Sequence, residues 1–266
     1  MDASLRRYLA YPPRFETVGL ARLHLLDAPL GWLEPETVRF VLGFDPAFRQ
    51  TPDGAVHVAA GTPAGVGALL ERAAEALRDA GLIRGWRDER YTVFAPLSDG
   101  RPDLTRPLFA LERSAFRRLG LISQAVHVNG YSSGQQLWIG RRAASKAIDP
   151  GRLDNLAAGG LAADETRDRC AIRELWEEAG VPAGLTRDLI YGGTLRVTRN
   201  EPDGTHDEVL HCYDLCLPEH FVPCNMDGEV AGFYRLTAAE AIARLPEFTW
   251  DAGTVTGDFL ARHGWA

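Results

Sequence analysis

Between Asp164 and Pro182 the chain carries a helix with both ends written into the sequence. Asp164 or Thr166 can cap its start, Gly180 stands where a left-handed C-terminal residue is wanted, and Pro182 forbids another turn. At helical spacing Ile172, Leu175, Trp176 and Ala179 fall on one face, which is expected to be the buried one. Glu174, Glu177 and Glu178, spaced i, i+3 and i+4, share an arc of about 100° on the other side.

That arc is locally unfavourable. Glu174 and Glu178 repel across one turn at a cost of about 0.2–0.5 kcal/mol. Glu177 and Glu178 also sit in the last turn, where the helix dipole disfavours each anion by about 0.3–1 kcal/mol. Arg173 is expected to answer Glu177 at most. A solvated stripe mixes its signs, and this one does not. A local penalty that is kept points to a divalent cation, and clustered carboxylates offer the hard oxygens that suit Mg²⁺ or Mn²⁺.

The rest of the chain divides in two. Residues 1–118 alternate short strands and helices. Glu34-Pro35-Glu36 starts one helix, and VGALLERAAEALRDAG is a second that ends at Gly81. RYTVFAPL is a strand with Tyr91, Val93 and Ala95 on one face. ERSAFRRLGL is the joint. Residues 119–266 open with a hairpin, QAVHVNGY and QQLWIGRR, followed by a polar loop and the acidic helix. Strands at GGTLRVTR, EVLHCYDLCL and AGFYRL and two closing helices complete an α+β or mixed-sheet pattern.

Composition narrows the functional classes. Across 266 residues the net charge is −7, which argues against nucleic-acid or acidic-membrane partners. No apolar run is long enough to span a bilayer, and the first residues lack the apolar core of a signal peptide, so a cytoplasmic location is expected. The 4 cysteines, Cys170, Cys212, Cys216 and Cys224, lack zinc-site spacing and are expected to be buried thiols. His127 reads as a structural histidine within a strand. No nucleophile–histidine arrangement indicates covalent catalysis. Lys146 is the only lysine in the chain. Codon bias toward arginine explains the depletion; a site wanting a compact ammonium would explain the survivor.

Read backward from the helix, Gly159, Glu165 and the run Arg173-Glu174-Leu175-Trp176-Glu177-Glu178-Ala179-Gly180-Val181 resemble the Nudix box, GX5EX7REUXEEXGU with U aliphatic. Every fixed position matches. The resemblance implies an α/β/α sandwich with a mixed sheet and the metal-dependent hydrolysis of a diphosphate. It makes Glu177 and Glu178 the principal metal ligands. Glu174 becomes a ligand or the group that deprotonates the attacking water. Glu165, Arg173, Gly159 and Gly180 become structural, and the Ala158 carbonyl a further ligand. A later-loop acid is expected as well, Glu229 first and Asp227 second. The usual Pro-Gly-Gly at the start of the box is here Ala158-Gly159-Gly160.

The flanking phrases GLIRGWRDERYTVF, LGLISQAVHVNGY and FLARHG are similar to a narrower branch, in which an N-terminal α+β domain of thiamine pyrophosphokinase-associated type precedes the Nudix domain. That branch implies a thiamine diphosphate or its oxidised analogue as substrate. Relatives also suggest oxidised nucleoside diphosphates such as 8-oxo-dGDP. In this setting Arg141, Arg142 and Lys146 are phosphate-binding candidates. Trp32, Trp86 and Tyr91 are either stacking or core residues, and Asn129 and Asn155 lie near the box, Asn155 pinning its loop. A non-catalytic ligand-sensing module would be expected to lack the glutamates. An isomerase would need more than Cys170. A homodimer is implied by family analogy only.

Overall fold

The computed structural model describes residues 1–266 except 60 and 147. The chain begins with α1 (Ala3–Ala10), β1 (Ala21–Leu25), β2 (Ala28–Leu33), α2 (Pro35–Phe44), β3 (Phe48–Gln50), β4 (Val56–Val58) and α3 (Pro63–Asp79). β5 (Arg90–Pro96), β6 (Pro102–Glu112) and α4 (Ser114–Leu119) follow. The helix starts obey their sequence signals. Pro35 opens α2, and the Thr62 hydroxyl accepts from the Gly65 amide at 3.1 Å ahead of Pro63. Gly81, at φ +74°, closes α3.

The four short strands form a sheet in the order β2-β1-β4-β3, and β5 and β6 form a separate ribbon. Leu23, Val56, Leu70, Tyr91, Val93 and Leu111 share one core among these elements. Tyr91, Val93 and Ala95 alternate inward along β5 as their period-two spacing requires.

After the joint come β7 (Ile122–Ser132), β8 (Gln136–Arg142), β9 (Leu153–Asp154), β10 (Ala157–Gly160) and α5 (Arg167–Ala179). The chain ends with β11 (Ile190–Glu201), β12 (Gly204–Leu217), β13 (Val230–Thr237), α6 (Ala238–Ala243) and α7 (Trp250–Arg262). A mixed sheet runs β11-β12-β7-β8-β13, with β7 and β12 parallel. β7 is buried along nearly its whole length, as a strand covered on both faces must be. α5 packs over Val126, Val128 and Tyr213 on one face. α7 packs over Ala125, Leu210 and Cys212 on the other.

β7 and β8 pair only at Gly130↔Trp138 and Tyr131↔Leu137 before they part. β10 pairs with β7 and β9 with β8, so the two short strands fill the fork. That wedge sets β10 directly beneath α5.

One helix crosses over. α1 lies within residues 1–118 but packs on α6 and α7. Tyr8 stacks on Trp250 with centroids 4.5 Å apart. Gly253 and Gly257 make room for it: a Cβ on Gly253 would lie 2.3 Å from the Tyr8 hydroxyl, and one on Gly257 would lie 2.9 Å from Leu5 Cδ1. Nothing local in the sequence of α1 points to this partner. No described helix is long and apolar enough to cross a membrane.

Candidate active site

α5 is capped by Thr166, whose hydroxyl accepts from the Arg169 amide at 3.3 Å. It ends at Gly180, with φ +64°. The loop beyond β12 finishes that end. The Cys224 amide donates to the Ala179 carbonyl at 3.0 Å, and the Met226 amide donates to the Glu177 carbonyl at 2.9 Å. Two carbonyls without partners inside the helix are thereby satisfied. The same bonds bring Asp227 and Glu229 to the acidic turn.

The buried face is not the one that apolar spacing indicates. Ile172 and Trp176 are 38% and 50% exposed, whereas Glu174 and Glu178 are 8% and 6% exposed. Cys170, Ala171, Leu175 and Ala179 share the buried side with the two acids. The reason lies in β10. A Cβ on Gly159 would sit 1.9 Å from Glu174 Oε1, so the bare glycine is what admits the carboxylate. The Ala158 amide donates to Glu178 Oε2 at 2.9 Å. In an extended strand the amide and carbonyl of one residue leave on the same edge, so the Ala158 carbonyl faces α5 as well.

Arg173 does more than its spacing suggests. Its Nε and Nη2 donate to the two Glu165 oxygens at 3.0 and 2.9 Å, a bidentate pair that ties the loop to the helix. Its Nη1 donates to Glu174 at 2.6 Å and to Glu177 at 3.0 Å. One guanidinium thus answers three carboxylates.

Glu178 is left short of charge. Lys146 Nζ stands 3.9 Å from Glu178 Oε1 and contacts Glu229 Oε2 more closely. Burial pushes the Glu178 carboxyl up to about 8, with Glu174 and Asp154 adding to the rise; the Ala158 amide and Lys146 oppose it. Burial also raises Glu174, against the pull of Arg173. Burial lowers the Lys146 ammonium despite Glu178 beside it. In this structure the sole lysine is the cation that joins the helix acid to the later-loop acid.

A sequence profile of the NUDIX domain matches residues 123–257, half of the chain. The chain belongs to the Nudix family. Residues 11–123 match a domain of unknown function, DUF4743. Nudix hydrolase 20, chloroplastic, of Arabidopsis thaliana is 38% identical over 195 residues, covering 71% of this chain and 50% of that protein. Nudix hydrolase 24, chloroplastic, of the same plant is 38% identical over 195 residues, covering 71% of this chain and 52% of that protein. The chain spans about half the length of the curated relatives it matches. DR0079 from Deinococcus radiodurans superposes with a TM-score of 0.44 at 23% identity, covering 59% of this chain and 89% of that one.

α5, β10 and the loop after β12 thus bring Glu174, Glu177, Glu178, Ala158 and Glu229 to one end of the acidic helix. The two arginine candidates make their bonds on the neighbouring loop, Arg142 through Asp154, which acts on Glu178. Arg142 spends its guanidinium on its own loop: Nη1 on Asp154 at 2.7 Å, Nη2 on the Ile148 carbonyl at 2.8 Å, and Nε on the Ile148 and Asp149 carbonyls at 3.2 Å each. Arg141 donates to the Tyr234 hydroxyl at 2.8 Å and to the Gly151 carbonyl at 2.6 Å. Both brace the loop frame, so a phosphate would have to share or displace these bonds.

The aromatic candidates are also engaged within the fold. Trp32 lies under Arg22 at 4.4 Å and Trp86 under Arg78 at 4.5 Å, and Tyr91 is core. His127 donates to Asn155 at 2.8 Å, and Asn155 donates to Asn129 at 3.1 Å and to Thr256 at 3.0 Å, so the loop before β10 is pinned from behind. Cys170 and Cys212 are buried; Cys216 and Cys224 are exposed, against expectation: Cys216 lies beyond Asp214, where β11 stops pairing with β12, and Cys224 lies in the loop after β12.

Asp154, which the motif does not include, emerges as a buried carboxylate acting on Glu178. Its only sequence signal is its place in the polar loop. A cleft of about 200 Å³ opens between Glu89 and the box residues Ala162, Asp164, Glu165, Arg169 and Arg173. It borders the Arg173 side of α5 and not Glu178.

Proposed function

We propose that the chain is a divalent-metal-dependent hydrolase that converts an organic diphosphate to a monophosphate. The observation that carries this is the charge shortfall around Glu178. Five carboxylates, Glu165, Glu174, Glu177, Glu178 and Glu229, share the two cations Arg173 and Lys146. The donors are all hard oxygens, so they fit Mg²⁺ or Mn²⁺. Glu174, Glu177, Glu178, Glu229 and the Ala158 carbonyl would hold the ion. When bound, it supplies charge neutralisation of the diphosphate and acidification of water.

The chain's own residues do the rest. Glu174 or Glu178 is the group we assign to accept the proton of the attacking water. Arg173 holds Glu174 in place through Glu165. Lys146 is the group we assign to a phosphate oxygen, as a point charge. We divide the chain at about residue 119 into an N-terminal α+β domain, of the type that accompanies thiamine pyrophosphokinase, and a Nudix domain, with α1 crossing to the latter.

By the branch resemblance, the substrate we favour is thiamine diphosphate or an oxidised analogue; an oxidised nucleoside diphosphate such as 8-oxo-dGDP is the second reading. The retained glutamate set weighs against a non-catalytic sensor. We place the enzyme in the cytoplasm, acting on a small molecule without nucleic-acid or membrane partners, and allow for a homodimer. Separation of the products formed from thiamine diphosphate, its oxidised forms, 8-oxo-dGDP and ADP-ribose, with Mg²⁺ or Mn²⁺, tests the reading; the first three give a monophosphate and inorganic phosphate, and ADP-ribose gives two monophosphates. Turnover that vanishes in Glu178→Gln supports it; no turnover of any compound turns the case toward a sensor.

A further inference from the structure

We infer that Tyr91, from the N-terminal unit, is a positioning residue for the Nudix loop: it sets Gly160, and through it the Gly159 seat on which Glu174 rests. The inference builds on the hydrolase reading and assigns the first unit a part in it.

The contact starts from β5. The Ala163 amide of the box loop donates to the Arg90 carbonyl at 2.8 Å, so the loop is hydrogen-bonded to the end of that strand. The next residue, Tyr91, is 6% exposed. Its ring meets Phe116 edge-on at 5.6 Å, and the Arg113 guanidinium lies 5.1 Å from it. Arg113 is itself fixed by Glu89. Two χ angles and these neighbours leave the ring one place to be. Its hydroxyl ends on Gly160, where a Cβ would lie 1.5 Å from the Tyr91 oxygen and 2.4 Å from Cζ. From the helix side, Cys170 Sγ reaches the Gly160 carbonyl at 3.4 Å. Gly160 is therefore held between the N-terminal unit and α5.

Gly159 and Gly160 thus lack side chains for different reasons. Gly159 receives Glu174 and Gly160 receives Tyr91. β10 is four residues long and one edge is bound to β7, so a shift at Gly160 reaches Gly159 within one residue. A packed interior transmits such shifts instead of absorbing them. The sequence around the box suggests nothing of this, because the partner lies about seventy residues upstream in another unit.

The test compares Tyr91→Ala, Tyr91→Phe and Gly160→Ala in the full chain. Each is checked for cooperative melting, then assayed for kcat, KM and Mn²⁺ binding by the spin-resonance signal of free Mn²⁺. Groups that orient metal ligands typically contribute about 10–100-fold, so Tyr91→Ala and Gly160→Ala should each lose about that much in kcat or Mn²⁺ affinity. KM should stay within about threefold, because orientation and not substrate binding is lost. Tyr91→Phe, which keeps the ring, should recover most of both. If the double variant that combines Tyr91→Ala with Gly160→Ala is as impaired as the product of those two singles, the two residues act apart and the inference fails. It fails equally if the folded single variants keep wild-type kcat and Mn²⁺ affinity. A wild-type protein that binds no Mn²⁺ and hydrolyses nothing overturns the hydrolase reading, and this inference with it; normal wild-type behaviour with silent variants overturns this inference alone.

Discussion

Two groups of acidic side chains lie on opposite faces of the central sheet, and they behave in opposite ways. On the α5 face, Glu178 is pushed up to about 8 by burial and by Glu174 and Asp154. On the α7 face, His206, Glu208 and Asp251 bring potential ligand atoms within 4.8 Å of one another. There burial alone would raise Asp251, yet His206 and Arg199 hold it well below the usual carboxylate range. Arg199 Nη1 donates to Asp251 at 2.6 Å and Nε to Glu201 at 2.7 Å. His206 Nε2 stands 3.1 Å from Asp251, and Ser123 donates to Glu208 at 2.7 Å. In the second group Arg199 supplies a counter-charge to both Asp251 and Glu201. Proximity of acids by itself is therefore a weak criterion; the missing counter-charge around Glu178 is what our proposal of a metal there rests on.

The widest separation between the groups should come from two isosteric substitutions. Glu178→Gln keeps an acceptor for the Ala158 amide and removes one charge. Turnover should fall by about 10²–10⁴-fold, since loss of a charged group at such a centre costs several kcal/mol. The metal-free fold should hold or gain stability, because a buried acid without full compensation is removed. Asp251→Asn should do the reverse: a loss of about 3 kcal/mol in denaturant unfolding, with turnover per folded molecule unchanged. Breaking a buried pair typically costs about 3–5 kcal/mol, and Glu201 still answers Arg199. A Glu178→Gln enzyme with wild-type turnover would end the proposed ligand assignment.

How far the α5 group could be read in advance differs from residue to residue. The helix and its ends were legible because Thr166, Gly180 and Pro182 are local signals. The buried face was not. Helical spacing ranks residues by polarity, and here Glu174 and Glu178 turn inward while Trp176 faces solvent. The missing signal was in Gly159-Gly160, whose lack of side chains leaves room for something larger. Lys146 stood out by count alone, yet its partner Glu229 is 83 residues away and no periodicity joins them. Arg141 and Arg142 read as a basic pair beside the acidic helix, but the loop carbonyls that they hold were not legible, because Ile148, Asp149 and Gly151 carry no signal for that contact. The group on the α7 face left no mark at all: its members are scattered from Arg199 to Asp251, each ordinary in its own strand or helix.

Metal binding offers the next contrast, at smaller scale. Anything that binds only the folded state stabilises it, by about 2.7 kcal/mol at a hundred times the dissociation constant. Mn²⁺ should therefore raise the melting temperature of the wild type and of Asp251→Asn, and have little effect on Glu178→Gln. The opposite pattern, a rise kept in Glu178→Gln and lost in Asp251→Asn, would move the metal to the α7 face and sink the comparison as drawn.

The smallest effect uses a second histidine on β12. His206 lies beside Asp251, whereas His211 has no carboxylate partner among the described residues: Nε2 meets Gln124 at 2.8 Å and Nδ1 meets the Tyr191 hydroxyl at 3.4 Å. Burial, helped by Arg167, lowers His211 to about 4. The unfolded chain accepts this proton once the pH drops below about 6.5, and the fold refuses it until about 4. Stability should therefore fall as pH falls across that window, by at most about 1.4 kcal/mol per unit from this group. Asp251 acts in a different window: its carboxyl is depressed, so its contribution is present above the ordinary 3.8 and is lost only on further acidification. His211→Gln keeps a partner for Gln124 and cannot titrate, so it should flatten the slope of denaturant midpoint against pH between 6.5 and 4. The fall below 3.8 should remain. An unchanged slope in His211→Gln would mean that the acid sensitivity arises elsewhere, and the two faces would then no longer be separable by pH.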